Sequence, residues 1–106
     1  MSDTSDLSIT HHAQGQGGKY VAHLDGHEGY LEWEPAQGLP EQDVGEGTRV
    51  ATHTVVPKAI GGRGVARQLV EALIADAREH KFKIVPQCSY VAAKFDENPD
   101  WAELRA

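Results

Sequence analysis

The stretch Tyr30–Glu34 (YLEWE) alternates strictly, with Leu31 and Trp33 on one side and Tyr30, Glu32 and Glu34 on the other. Successive side chains of an extended backbone point to opposite faces, so this pattern predicts a half-buried strand. Lys19–Leu24 (KYVAHL) has strand composition, and Asp25-Gly26 followed by Gly29 marks a hairpin between the two. Leu7–Ala13 alternates more weakly and predicts a further strand, with His11 and His12 on opposite faces and a turn at Gln14–Gly18. Thr48–Val56 is the longest strand candidate and is stopped by Pro57. The period then changes. Ala66, Leu69, Val70, Leu73 and Ala77 recur at helical spacing as one apolar stripe, with Arg67, Glu71 and Arg78 towards the other side. Phe82–Pro86 returns to a strand pattern, and Tyr90–Phe95 predicts a second, shorter helix. Asn98-Pro99-Asp100 interrupts it before a tail anchored by Trp101 and Leu104.

Four strands, a helix, a strand and a helix predict an α/β domain. Hairpin strands followed by a strand–helix–strand unit give a mixed five-stranded sheet with two helices against it, in the order β-β-β-β-α-β-α. A chain of 106 residues has room for one such domain with a modest core. We expect it to span residues 7–106, with the polar residues 1–6 disordered and residues 35–47, rich in Gly, Pro and acid, forming a surface loop.

Composition changes the picture mainly by exclusion. Apolar content of 40% and charged content of 25% suit a soluble globular domain. Apolar runs are too short for a membrane span or a signal-peptide core, which predicts a cytoplasmic location and no membrane partner. Cys88 is the single cysteine, so no internal disulfide is possible. A net charge of −6 argues against nucleic acid, because phosphate contacts need clustered Lys and Arg. Acidity favours a cationic partner such as an amine. Glu41, Asp43 and Glu46 of the loop either face solvent or lie near such a substrate.

The candidate chemistry starts at residues 52–66, THTVVPKAIGGRGVA, where a strand meets a helix through glycines 61, 62 and 64. Glycines there let backbone N–H groups converge, and a helix N-terminus adds about half a positive charge, which together suit a phosphate or pyrophosphate. A nucleotide P-loop is excluded because Val65-Ala66 stands where Lys and Ser or Thr would be needed. A dinucleotide fingerprint fails on glycine spacing and on the preceding hairpin strands. His53, mid-strand, is either a hydrogen-bonded, half-buried side chain or a proton acceptor near neutral pH. Cys88 is either a small buried hydrophobe or a nucleophile. His11, His12, His23 and His27 fit no zinc spacing, and no cysteine or paired carboxylate joins them in the sequence, so no metal is expected.

Through THTVV at 52–56, GGRGVARQLV at 61–70 and VPQCSYV at 85–91, the chain resembles the GNAT-type (GCN5-related) N-acetyltransferases. The likeness is strongest to their smallest single-domain branch, and it runs from about Leu7 to Leu104. The resemblance implies an enzyme moving acetyl from acetyl-CoA to an amine, on a small molecule or a protein. It implies that Val55 and Val56 contact pantetheine, and that Gly61, Gly62, Arg63, Gly64, Val65 and Ala66 hold the pyrophosphate. The family motif usually opens with Arg or Gln three residues before its first glycine. Ala59 stands there in this chain, with Lys58 and Arg63 nearby to supply positive charge. The resemblance also places Cys88 in the cleft between strands four and five, where the small branch has a cysteine proposed to take part in transfer. It makes His53 the candidate base and backbone N–H groups around Val55 the group polarising the thioester carbonyl. Tyr90 lies near a position where larger members protonate the departing thiolate, or else it packs on the core. The alternative is a non-catalytic module that binds acetyl-CoA, CoA or a protein, because so short a chain leaves little structure for an acceptor pocket. Oligomeric state stays open, since the sheet edges could face solvent or pair.

Overall fold

The computed structural model describes residues 7–14, 17–35, 48–62 and 64–106. The expectations for residues 1–6, for the surface loop over 36–47 with Glu41, Asp43 and Glu46, and for Arg63 lie outside the described residues, while Pro35, expected in that loop, ends strand β3. Strands β1 (Ser8–Gln14), β2 (Gly17–Leu24), β3 (His27–Pro35) and β4 (Thr48–Val55) form an antiparallel meander. Helix α1 (Val65–His80) crosses back so that β5 (Lys83–Pro86) pairs parallel to β4, completing a sheet in the order β1-β2-β3-β4-β5. Helix α2 (Ser89–Glu97) and a 3-10 segment, Pro99–Leu104, close the chain. This is the mixed five-stranded sheet with two helices that the periodicity predicts.

The β2–β3 hairpin turns on Asp25 and Gly26, both with positive φ (53° and 79°). Two residues of that hand match the right-handed twist of the flanking strands. β2 begins at Gly17, inside the stretch that composition alone assigns to a turn. The glycines serve a neighbour: a Cβ on Gly18 would come within 2.9 Å of the Trp33 ring and 2.8 Å of the His12 carbonyl oxygen. The Trp33 ring therefore approaches β2 this closely because nothing projects from Gly18.

One face of the sheet, carrying Tyr20, Ala22, Leu24, Leu31, Trp33 and Ala51, is buried under α1 and α2. Leu69, Val70, Leu73 and Ala77 of α1 are fully buried against it, with Val91 and Phe95 from α2 and Leu104 from the tail. Each of the Leu, Val and Phe side chains contributes about 1.5–3 kcal/mol relative to exposure, before the entropy of ordering is set against it. The other face carries Lys19, His23, Tyr30, Glu32 and His53, half-buried or exposed, with Val21 sunk among them.

Polar contacts tie the sheet together at the end where β4 begins. The Arg49 guanidinium sits between two rings, 3.9 Å from the centroid of Trp33 and 4.0 Å from that of Phe82. It donates to Tyr20 Oη at 3.1 Å, and Tyr20 in turn donates to Asp76 Oδ2 of α1 at 2.7 Å. Burial and the Asp76 contact push the Tyr20 phenol far above its ordinary range. His11 stacks on Tyr20 at 4.4 Å and accepts the Trp33 indole N–H at 3.0 Å. Burial, with the Arg49 charge beside it, holds the His11 imidazole below its usual pKa.

Candidate functional site

β4 and β5 pair only from Thr48–Ala51 against Lys83–Pro86. Pro86 has no N–H to continue the ladder, and Gln87 turns back to bond the Val85 carbonyl at 2.9 Å. A last contact, Cys88 N–H to the Ala51 carbonyl at 2.8 Å, closes the parallel pair. Beyond it, Thr52–Val55 have no β5 partner, and the chain of Ser89 onward is already helical.

A bulge sharpens this parting. Glu32 of β3 faces His53 while Trp33 faces Ala51, so Thr52 is one residue too many on β4, and its hydroxyl donates to the Glu32 carbonyl at 3.3 Å. An extra residue bends a strand and increases its twist. The result is an open cleft with the end of β4 on one wall and Cys88 with the start of α2 on the other. Val55 at its mouth is 45% exposed, the one large hydrophobic so exposed among the described residues.

The glycine loop continues from that wall. Buried Ile60 anchors a 3-10 turn, Lys58–Ile60, to the core. Gly61 has an ordinary φ of −70°, whereas Gly62 and Gly64 take 76° and 78°. A left-handed conformation at those two positions costs L side chains about 1–2 kcal/mol, which is the reason for glycine there. Gly64 is the N-cap of α1, with no side-chain cap and no acidic residue in the first turn. The first-turn N–H groups of α1 are thus left to an outside acceptor. Among the described residues, chain neighbours aside, nothing lies within 4 Å of where a Cβ would stand on Gly62 or Gly64. Val65 is buried and Ala66 half-buried behind them, and Lys58 is exposed beside them.

Cys88 is the N-cap of α2 and half-buried. Its Sγ lies 3.5 Å from Thr54 Oγ1. Burial pushes the thiol up, but the Thr54 hydroxyl and the N–H groups of Val91, Tyr90 and Thr54 outweigh it and hold the pKa below its ordinary value. Thr54 was not legible as a site residue; only the strand's alternation, which turns Thr54 to the face opposite His53, hints at it. His53 is exposed and directly across from Glu32. The fold therefore brings Cys88 to Thr54 and sets His53 on the opposite face of β4. Tyr90, in the first turn of α2, is half-buried with Lys94 Nζ 5.3 Å from its ring centroid.

An open anion cradle at a helix N-terminus, continuous with an unpaired strand edge, can hold an extended phosphate-bearing ligand and present its far end beside Cys88, Thr54 and Val55. Among the described residues no helix is long and apolar enough to cross a membrane. The sequence from residue 19 to 104 matches the GCN5-related N-acetyl-transferase family. That span runs from Lys19 within β2 to Leu104 in the tail and so includes the cleft, the glycine loop and Cys88. By that match and by the sheet that parts beside a glycine-capped helix, the chain belongs to the GCN5-related N-acetyltransferase family.

Proposed function

We propose that the protein transfers the acetyl group of acetyl-CoA to an amine. The observation that carries this reading is the parting of β4 from β5 beside the left-handed glycines at the start of α1. The pyrophosphate would rest on the α1 N–H groups with Lys58 and Arg63 at its flank. The pantetheine amides would pair with the free edge of β4 up to Val55 and Val56, as an added strand would. The thioester carbonyl would then lie among strand N–H groups that stabilise the oxyanion as it forms.

His53 and Cys88 lie on opposite faces of β4, which separates two routes. In the route we favour, the amine arrives over the uncovered face, its nitrogen attacks the thioester carbon, and the C–S bond breaks. His53 takes the amine proton, and the CoA thiolate leaves and is protonated, with Tyr90 the candidate donor. The covalent route would use Cys88 instead: its thiolate attacks first, releases CoA, and yields the acetyl group to the amine in a second step. The lowered thiol pKa supports that alternative. Access favours direct transfer, since Sγ sits under Thr54 on the helix-covered side.

The test is release of CoA from acetyl-CoA across a panel of primary amines. Acceptor-dependent release is expected, lost about 100-fold in His53→Ala and kept within a few-fold in Cys88→Ala. Loss of turnover in Cys88→Ala with a pH profile that follows thiolate formation would replace the direct route by the covalent one. Binding of acetyl-CoA without acceptor-dependent release would make the protein a CoA-binding module.

A further inference from the structure

A groove of about 220 Å³ lies between the two helices, lined by Arg67 and Glu71 of α1, Lys94 and Glu97 of α2, and Asn98 and Trp101 beyond it. Both helices begin at the cleft, α1 from the Gly64 cap and α2 from the Cys88 cap. Arg67 stands about 4.5 Å along α1 from its cap, and Glu71 about 10 Å. The groove therefore opens within a turn of the glycine loop.

Charge along this groove is ordered. Arg67 Nε donates to Glu71 Oε2 at 3.0 Å, and Lys94 Nζ donates to Glu97 Oε1 at 3.1 Å. In each pair the cation is the member nearer the cleft. Within a helix the better order puts the carboxylate first, and a cation in the first turn opposes the positive end of the dipole. Arg67 goes against both preferences, and no acidic residue in the first turn of α1 offsets it. An anion arriving at that end would balance such a cation. Deeper in, the groove offers acceptors and an aromatic wall. Asn98 Nδ2 is committed to the Lys94 carbonyl at 2.8 Å, which leaves Oδ1 as an acceptor beside Glu97. Trp101 is half-buried and fixed by its edge contact with Phe95, 5.7 Å between centroids at 76°.

Beyond its pyrophosphate, coenzyme A carries a ribose with a 3′-phosphate and an adenine. With the pyrophosphate on the α1 N–H groups, that ribose lies at the mouth of the groove. We infer that the groove takes the 3′-phosphoadenosine end of coenzyme A, with Arg67 and Lys94 on the 3′-phosphate and the Trp101 ring against adenine. The inference rests on the acetyl-CoA reading for the position of the pyrophosphate. Exposed ion pairs contribute little, so a phosphate dianion draws both cations from their carboxylates at small cost. Arg67 can take two phosphate oxygens at once through its planar fork. Glu71 opposes the phosphate, and the two cations together outweigh it. The 6-amino group of adenine is a donor, matched by Glu97 and Asn98 Oδ1.

The experiment is calorimetric titration of the whole chain with free CoA and, separately, with 3′-dephospho-CoA, which lacks only that phosphate. CoA is expected to bind the parent at least about tenfold more tightly. Arg67→Gln and Lys94→Gln, each verified as folded by circular dichroism, are expected to weaken CoA about fivefold and to leave 3′-dephospho-CoA within about twofold. Trp101→Leu is expected to weaken both ligands alike, by about fivefold or more. Equal affinity of the parent for the two ligands overturns this inference and leaves acetyl transfer standing. Equal weakening of both ligands in the Arg67 and Lys94 variants also overturns it. A tenfold preference for CoA without acceptor-dependent CoA release would support the groove while removing acetyl transfer. Failure of either ligand to bind at millimolar concentration overturns both.

Discussion

Gly64→Val is expected to lower acetyl-CoA affinity at least about tenfold, or about 1.4 kcal/mol, in a calorimetric titration. The backbone at Gly64 has φ 78°, and a β-branched side chain is strained there by about 1–2 kcal/mol. The loop relieves that strain by rotating, which takes the first N–H groups of α1 away from a common focus. Whatever part of the conformation survives places methyl groups in the space that the phosphate oxygens would enter. Gly62→Val, at φ 76°, is expected to act likewise. Gly61→Ala provides the contrast. Its φ is −70° and a Cβ there would meet nothing closer than 3.5 Å, so affinity within about twofold of the parent is expected. Equal losses at Gly61 and Gly64 would show that bulk near the loop, rather than left-handed backbone, governs binding.

Arg49→Ala is expected to destabilise the fold by about 2–4 kcal/mol, seen as a fall in Tm on the order of 10 °C. The guanidinium is held between the Trp33 and Phe82 rings and donates to Tyr20, whose hydroxyl is committed to Asp76. Removing it withdraws two cation–π contacts and a hydrogen bond, and leaves two aromatic faces without a partner. Arg49→Lys is expected to recover only part of the loss, because an ammonium cannot lie flat between two rings. Arg49 stands at the opposite end of β4 from the glycine loop, so acetyl-CoA affinity of the folded variant at low temperature should match the parent. A Tm within 2–3 °C of the parent, about 0.5 kcal/mol, would reduce the sandwich to a surface contact.

The parts of this fold that local period encodes were legible. The stripe Leu69, Val70, Leu73 and Ala77 faces the sheet as the helical spacing predicts, and Leu31 and Trp33 share the buried face of β3. The glycine loop was legible because positive φ restricts residue type directly. Pairing between segments was not. Period reports which way a side chain points within a strand, whereas register between strands depends on turn geometry and bulges elsewhere. The bulge at Thr52, the end of the β4–β5 ladder at Pro86, and the opposite placement of His53 and Cys88 all belong to register. The same holds for Thr10 between His12 and His23 and for Arg49 between Trp33 and Phe82. Gly17 and Gly18 carry turn composition yet pair as strand, since tertiary contact with Trp33 outweighs local preference.

The most direct measurement of the central claim is a heteronuclear NMR titration of the whole chain with acetyl-CoA, read residue by residue at the amides. The account predicts saturable one-to-one binding, with the largest shifts at Gly61–Ala66 and along Thr52–Val56, and with Cys88 and Tyr90 following. Absence of saturation at millimolar ligand, or shifts confined to other parts of the sheet, would contradict it.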